Sequence, residues 1–143
     1  MIEITNLSGG AQDANSLKKI GKVILREERK AQLDLSVVLL GESKMQELNR
    51  VYRGKDESTN VLSFSGGSDK IPSEVEGYLG LGELVLCPAV IRKDAKKYGI
   101  MFKAELYRIF IHGLLHLAGY DHTKDADSKK MSQKEKQYLS LVS

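Results

Sequence analysis

Apolar residues recur along this chain in two rhythms, and the changes from one to the other mark the expected elements. Met1 to Thr5 alternates apolar and polar positions and reads as a short strand. A Gly-rich polar turn, Asn6 to Asn15, follows, with Asp13 or Asn15 placed to cap a helix. From Leu17 to Lys30 the spacing becomes helical: Leu17, Ile20, Val23 and Ile24 share one face, and Leu25 is the exception. Leu33 to Leu40 is β-branched and apolar enough for a buried strand, closed by Gly41.

The remaining elements follow the same logic. Ser43 is the expected cap of a helix to about Tyr52, with Met45, Leu48 and Val51 or Tyr52 turned inward. Val61 to Phe64 is a short strand, Ser65 to Gly80 a mobile polar loop, and Leu81 to Leu86 a further strand. Pro88 suits the first turn of a helix that Gly99 stops near Tyr98. Another helix covers Phe102 to Ala118, with Gly119 just past it, and a last one begins near Asp125 or Asp127. Strands gather in the first part and helices in the last, so the expectation is α+β: a small mixed sheet of about four strands packed with about five helices.

Composition narrows the setting without reaching the chemistry. A chain of 143 residues reads as one domain, residues 1–143, long enough to bury a core without staples. The 41% hydrophobic and 29% charged shares exclude a disordered chain. No apolar run approaches the roughly 20 residues of a membrane span, and the start has no signal-peptide layout. A lone cysteine, Cys87, rules out an internal disulfide framework and fits a reducing cytoplasm. It follows a strand and precedes Pro88, and reads as a small buried residue rather than a nucleophile.

The chemistry begins at IHGLLHLAGYDH, Ile111 to His122, which holds every histidine of the chain. His112 and His116 are four apart, so on a helix they project about 40° from one another, one turn apart on one face. His122 would point away if the helix continued, but Gly119 can take the left-handed conformation that ends a helix and lets the chain double back. Three imidazoles without a fourth protein ligand is the pattern of a catalytic zinc rather than a structural one. Histidines 112, 116 and 122 are therefore the expected ligands of one zinc ion, with Asp121 either a hydrogen-bond partner for a ligand or an Asx cap.

The spacing matches the metzincin metalloprotease pattern H-E-x-x-H-x-x-G-x-x-H at its histidines and glycine, but Gly113 stands where those enzymes carry their general base. The longer stretch HGLLHLAGYDH instead resembles the YbeY family of bacterial metal-dependent endoribonucleases. NRVYRGKDESTNVLSF (49–64), LGELVLC (81–87) and the MSQKEKQYL tail carry the resemblance across most of the chain, in order. It implies single-strand endoribonuclease activity in ribosomal RNA maturation and ribosome quality control, and zinc on the three histidines at the end of a cleft. It also implies precursor ribosomal RNA as substrate, and ribosomal proteins or assembly GTPases as partners. Asn60 stands where many members have Asp, and Ser65 where a proline often follows the phenylalanine; both bear on loop geometry rather than on the metal.

The resemblance also makes Arg53 the candidate catalytic or substrate-contacting residue, where spacing by itself reads a surface arginine favourable to a helix C-terminus. Lys55 and Asp56 are weaker neighbours, and Thr59 and Ser63 read as turn and strand hydrogen-bonders. Zinc can bring the pKa of its water to about 7, so hydrolysis does not require the missing glutamate. A guanidinium fork is suited to holding the phosphate. Lys18, Lys19, Lys22, Arg26, Arg29 and Lys30 fall within about 120° of arc on the first helix, a candidate phosphate-binding face as well as an ordinary solvated one. The competing readings are a metzincin-like hydrolase of peptide or amide bonds and a non-catalytic RNA-binding assembly protein with a structural metal.

Overall fold

The structure, a computed structural model, describes residues 1–10, 13–65, 82–120 and 125–142. Its strands are β1 (Ile2–Leu7), β2 (Leu35–Leu40), β3 (Val61–Ser65) and β4 (Gly82–Leu86). Its helices are α1 (Ala14–Glu27), α2 (Glu42–Arg53), α3 (Pro88–Tyr98), α4 (Phe102–Leu117) and α5 (Asp125–Val142). The strands form one mixed sheet in the order β1-β2-β4-β3: β2 is parallel to both β1 and β4, and β3 runs antiparallel to β4. This is the α+β architecture that the strand and helix rhythms predict.

Every residue of β2 is buried, which explains its unbroken apolar reading: it has a parallel neighbour on each side and cover on both faces. Alternation divides the core in two. Leu35, Val37, Leu39, Leu84 and Leu86 meet Leu17, Ile20 and Ile24 of α1 and Phe110, Ile111 and Leu114 of α4, with Met131 and Tyr138 of α5 closing this larger cluster. Val38, Leu40 and Val85 point to the other face with Leu62 and Phe64, against Met45 and Leu48 of α2 and the start of α3.

The helix ends differ from expectation in informative ways. Asp13 caps α1, its Oδ1 accepting the Ser16 N–H at 3.3 Å. The cap of α2 is Gly41 rather than Ser43, with Glu42 in the first turn paired to Lys93 at 2.9 Å. Helix α1 stops at Glu27, short of Lys30, because Arg29 is left-handed (φ 58°). The Lys30 N–H then reaches back to the Leu25 carbonyl at 2.7 Å, and that of Arg29 to Arg26 at 3.1 Å, a Schellman closure with arginine where glycine is usual. Gly119 performs the same closure on α4 (φ 110°), its N–H bonded to the His116 carbonyl at 3.1 Å. The expected loop from Ser65 to Gly80 lies almost wholly outside the described residues.

Candidate metal centre and cleft

The histidines owe their position to how closely α4 lies on the sheet. A Cβ at Gly113 would sit 2.5 Å from Leu84 Cδ1, in a core where Leu84 is fully buried. A side chain at this position would force buried Leu84 to repack, and the glutamate of the protease pattern is absent from the sequence. With Gly113 pressed inward, His112 is half-buried and His116 exposed on the flank toward β3.

Between this flank and β3 lies a cavity of about 260 Å³, lined by Arg53, Val61, Leu62, Ser63, His112, Gly113 and His116. Arg53 arrives from 59 positions before His112 in sequence, and the intervening geometry explains how. It is the last residue of α2, where Gly54 takes the left-handed conformation (φ 72°) that turns the chain. Buried Asn49 holds the exposed segment that follows, its Nδ2 donating to the Glu57 carbonyl at 2.8 Å. Tyr52 packs edge-on against Phe64 of β3, ring centroids 5.8 Å apart. The residues of the Asn49–Phe64 motif thus place one guanidinium beside the imidazoles.

Not every sequence expectation meets this cleft. Lys55 and Asp56 do not line it; Asp56 accepts instead from Gln46 Nε2 at 3.1 Å. Ser63, read as an ordinary strand residue, does line it. Cys87 is fully buried, and burial pushes its thiol pKa up, as suits a core residue. His122 and Asp121 lie outside the described residues, and among the described ones no three potential ligands gather.

Sequence reasoning missed Glu135. Its Oε1 lies 2.5 Å from His112 Nδ1. With a carboxylate as acceptor, Nδ1 carries the proton and Nε2 keeps its lone pair, the arrangement that orients a ligand imidazole. The role expected at Asp121 is here filled, for His112, by α5. A signal existed: Met131, Glu135 and Tyr138 are spaced i, i+4, i+7, so Glu135 falls on the buried stripe of its helix. Two imidazoles one turn apart on a shared cavity, one anchored by a carboxylate, fit a divalent transition metal.

A second carboxylate fastens the chain just before the third histidine. Glu28, at the end of α1, accepts from Tyr120 Oη at 2.8 Å and Tyr138 Oη at 2.5 Å, with Lys134 Nζ 3.6 Å away. Burial raises its pKa, but the two phenols and the ammonium outweigh burial and hold it below the usual range. Both phenols move the other way, Tyr120 to about 12, through their own burial and the carboxylate they serve. A hollow of about 360 Å³ opens beside this network, lined by Glu28, Tyr120, Asp127 and Lys130. It is larger than the histidine cleft, and among the described residues no histidine lines it.

Fold and cleft define an α+β protein whose candidate chemistry is a histidine pair facing an arginine. The family model described as Endoribonuclease YbeY matches residues 4–143, and the chain belongs to that family. It is 41% identical over 124 residues to an endoribonuclease YbeY of Thermodesulfovibrio yellowstonii, covering 86% of this chain and 74% of that one. To that of Thermotoga maritima it is 34% identical over 143 residues, covering 99% and 89%. Among solved structures it is similar to the solution structure of TM1509 from Thermotoga maritima, with TM-score 0.69 and 34% identity over 99% of this chain and 89% of that one.

Proposed function

We propose that this chain is a zinc-dependent endoribonuclease that cuts single-stranded stretches of ribosomal RNA precursors in the cytoplasm, serving ribosome maturation and quality control. The observation that carries the reading is the convergence of Arg53 with His112 and His116 on one cavity. The curated relatives, named as endoribonucleases, supply the bond class.

In this reading His112, His116 and His122 hold the metal. When bound, zinc supplies positive charge for a scissile phosphate and makes a water acidic enough to ionise near neutral pH. Glu135 keeps the Nδ1 proton on His112 and so holds Nε2 toward the cavity. Arg53 binds the non-bridging phosphate oxygens through its paired donors and stabilises the charge that grows on them as the bond breaks. Val61, Leu62 and the inward press of Gly113 wall the cavity and limit water around that charge. The peptidase alternative lacks a carboxylate beside His112, where Gly113 stands, and a side chain there would have to displace buried Leu84.

The test compares wild type with His116→Ala, purified identically, for metal content and for cleavage of precursor ribosomal RNA. Metal and cleavage are expected to vanish together while the circular dichroism spectrum persists. Equal cleavage by both preparations would assign the activity to a contaminant. Glu135→Ala, which leaves all three ligands, is expected to weaken zinc affinity roughly 10- to 100-fold in a chelator competition.

A further inference from the structure

Helix α1 exposes Lys18, Lys19, Lys22 and Arg26, while its opposite side, Leu17, Ile20 and Ile24, is wholly committed to the core. The four cations span about 100° of arc and about 12 Å of helix axis. Glu27 falls outside that arc and pairs with Arg26 at 3.8 Å between exposed side chains. Arg29 and Lys30 belong to the reversed segment beyond the helix and drop out of the face.

The C-terminal end of α1, which carries Arg26, is joined to the histidine cleft by α5. Lys134 sits 3.6 Å from Glu28 at the end of α1, and the next residue, Glu135, bonds His112. One turn of α5 therefore bridges the two regions. Lys130, four residues before Lys134, borders the hollow beside Glu28, and Lys129 and Lys136 are exposed on the outer side. The other exposed residues from Lys129 to Ser140, namely Ser132, Gln133, Gln137 and Ser140, are all neutral. Of the acidic groups near the seam, Glu28 and Glu135 are already engaged by phenols and an imidazole, and Asp127 lines the hollow with Lys130.

We propose that α1 and α5 form a continuous cationic track that grips the phosphate backbone of RNA outside the cleft, delivering a long substrate to the histidines without reading its bases. The proposal rests on RNA being the substrate. A lipid surface does not suit α1, because the apolar face it would insert is buried in the core. Base stacking does not suit it either: the arc carries no aromatic side chain. Repeated cations without aromatics match a uniform polyanion, whose binding is driven by counterion release and is sequence-independent.

The test replaces Lys18, Lys22 and Arg26 together with glutamine. A charge-matched control replaces Lys44, Lys96 and Lys97, exposed on α2 and α3. Binding of a long precursor ribosomal RNA fragment is titrated across salt concentrations, and cleavage of that fragment is compared with cleavage of a short single-stranded oligoribonucleotide. The track variant is expected to bind the long RNA at least ~10-fold more weakly, with the slope of log affinity against log salt reduced by about 2 from three lost phosphate contacts. Its KM for the long RNA rises while kcat and short-substrate cleavage stay unchanged, and the control behaves as wild type. Unchanged affinity and slope in the track variant, with wild type cleaving, would overturn the track and leave the endoribonuclease reading standing. A slope lost in the variant while wild type binds but never cleaves would do the reverse. Equal weakening by the control would reduce the effect to net charge and also overturn the track.

Discussion

Glu28 and Glu83 are both withdrawn from water, one on each side of the sheet, and the protein treats them in opposite ways. On the α1/α4/α5 side Glu28 receives two phenols and a lysine, and its pKa falls. Glu105 on the same side is fully buried yet held by the Arg108 guanidinium at 2.7 and 2.8 Å. Glu83 shares the other side of β4 with Val85, fully buried, and neither oxygen has a hydrogen-bond partner among the described residues. Burial pushes its pKa up to about 7; Ser36, its register partner, opposes the rise and Glu3 on β1 adds to it. Donors, not burial as such, decide whether a buried carboxylate is a charged clamp or a neutral acid. Both held carboxylates lie on the side that carries the histidines, where Glu28 ties the end of α1 to Tyr120 and to α5, while Glu105 is held within α4.

The largest predicted effect tests how tightly that side is built. Gly113→Glu restores the protease pattern in sequence but drives a side chain into Leu84. Overpacking and a buried charge together are expected to cost about 3 kcal/mol or more, lowering Tm by roughly 10 °C. Urea unfolding checks it, through a lower midpoint at an unchanged slope. A variant as stable as wild type would show that α4 can lift from β4 freely, and the steric reason for the missing glutamate would fail.

Removing the clamp comes next. Glu28→Ala leaves two phenols without their acceptor, Tyr138 being almost fully buried; the expected cost is about 2–3 kcal/mol, and Glu28→Gln, which keeps one acceptor oxygen, costs about 1 kcal/mol. The sign with pH follows from the lowered pKa. The stabilisation is complete above the unfolded-state value and is lost as pH falls through the folded one. The excess stability of wild type over Glu28→Ala, read from urea unfolding at a series of pH values, should therefore be largest near neutral pH and shrink as pH falls through the lowered folded-state pKa. An excess that stays constant across the series would mean the clamp contributes no linkage.

The strands and helices were legible in sequence because the two apolar periods are clean: β2 reads as buried, and α3 is bracketed by Pro88 and Gly99. The histidine pair was legible because helical spacing converts directly into geometry. What was not legible involved partners distant in sequence. Glu135 lies among lysines on a polar helix, and only the stripe of Met131 and Tyr138 hints that it turns inward. Ser63 and Arg53 come to line one cavity with the histidines of α4, far along the sequence, which no local pattern encodes. The end of α1 was misread because a left-handed arginine leaves no glycine to mark the stop. Glu83 was hidden because strand alternation assigns it a face but gives no account of the donors absent there among the described residues.

That absence makes Glu83 the sharper half of the comparison. A folded-state pKa of about 7, above the ordinary glutamate value of 4.5, means the folded protein holds this proton more tightly than the unfolded chain. Stability from this group is then complete below the unfolded value and is lost as pH rises toward and past 7, the reverse of Glu28. Between pH 5 and 8 the loss amounts to about 2 kcal/mol by linkage. Glu83→Gln, neutral at every pH, is expected to match wild type at pH 5 within about 1 kcal/mol, since both then bury an uncharged group. At pH 8 it is expected to be the more stable protein by about 2 kcal/mol. Urea denaturation of both proteins at the two values decides it. Parallel profiles would mean that Glu83 is ionised across this range in the folded protein, held by a donor, and the contrast between the two sides of the sheet would collapse into two clamps.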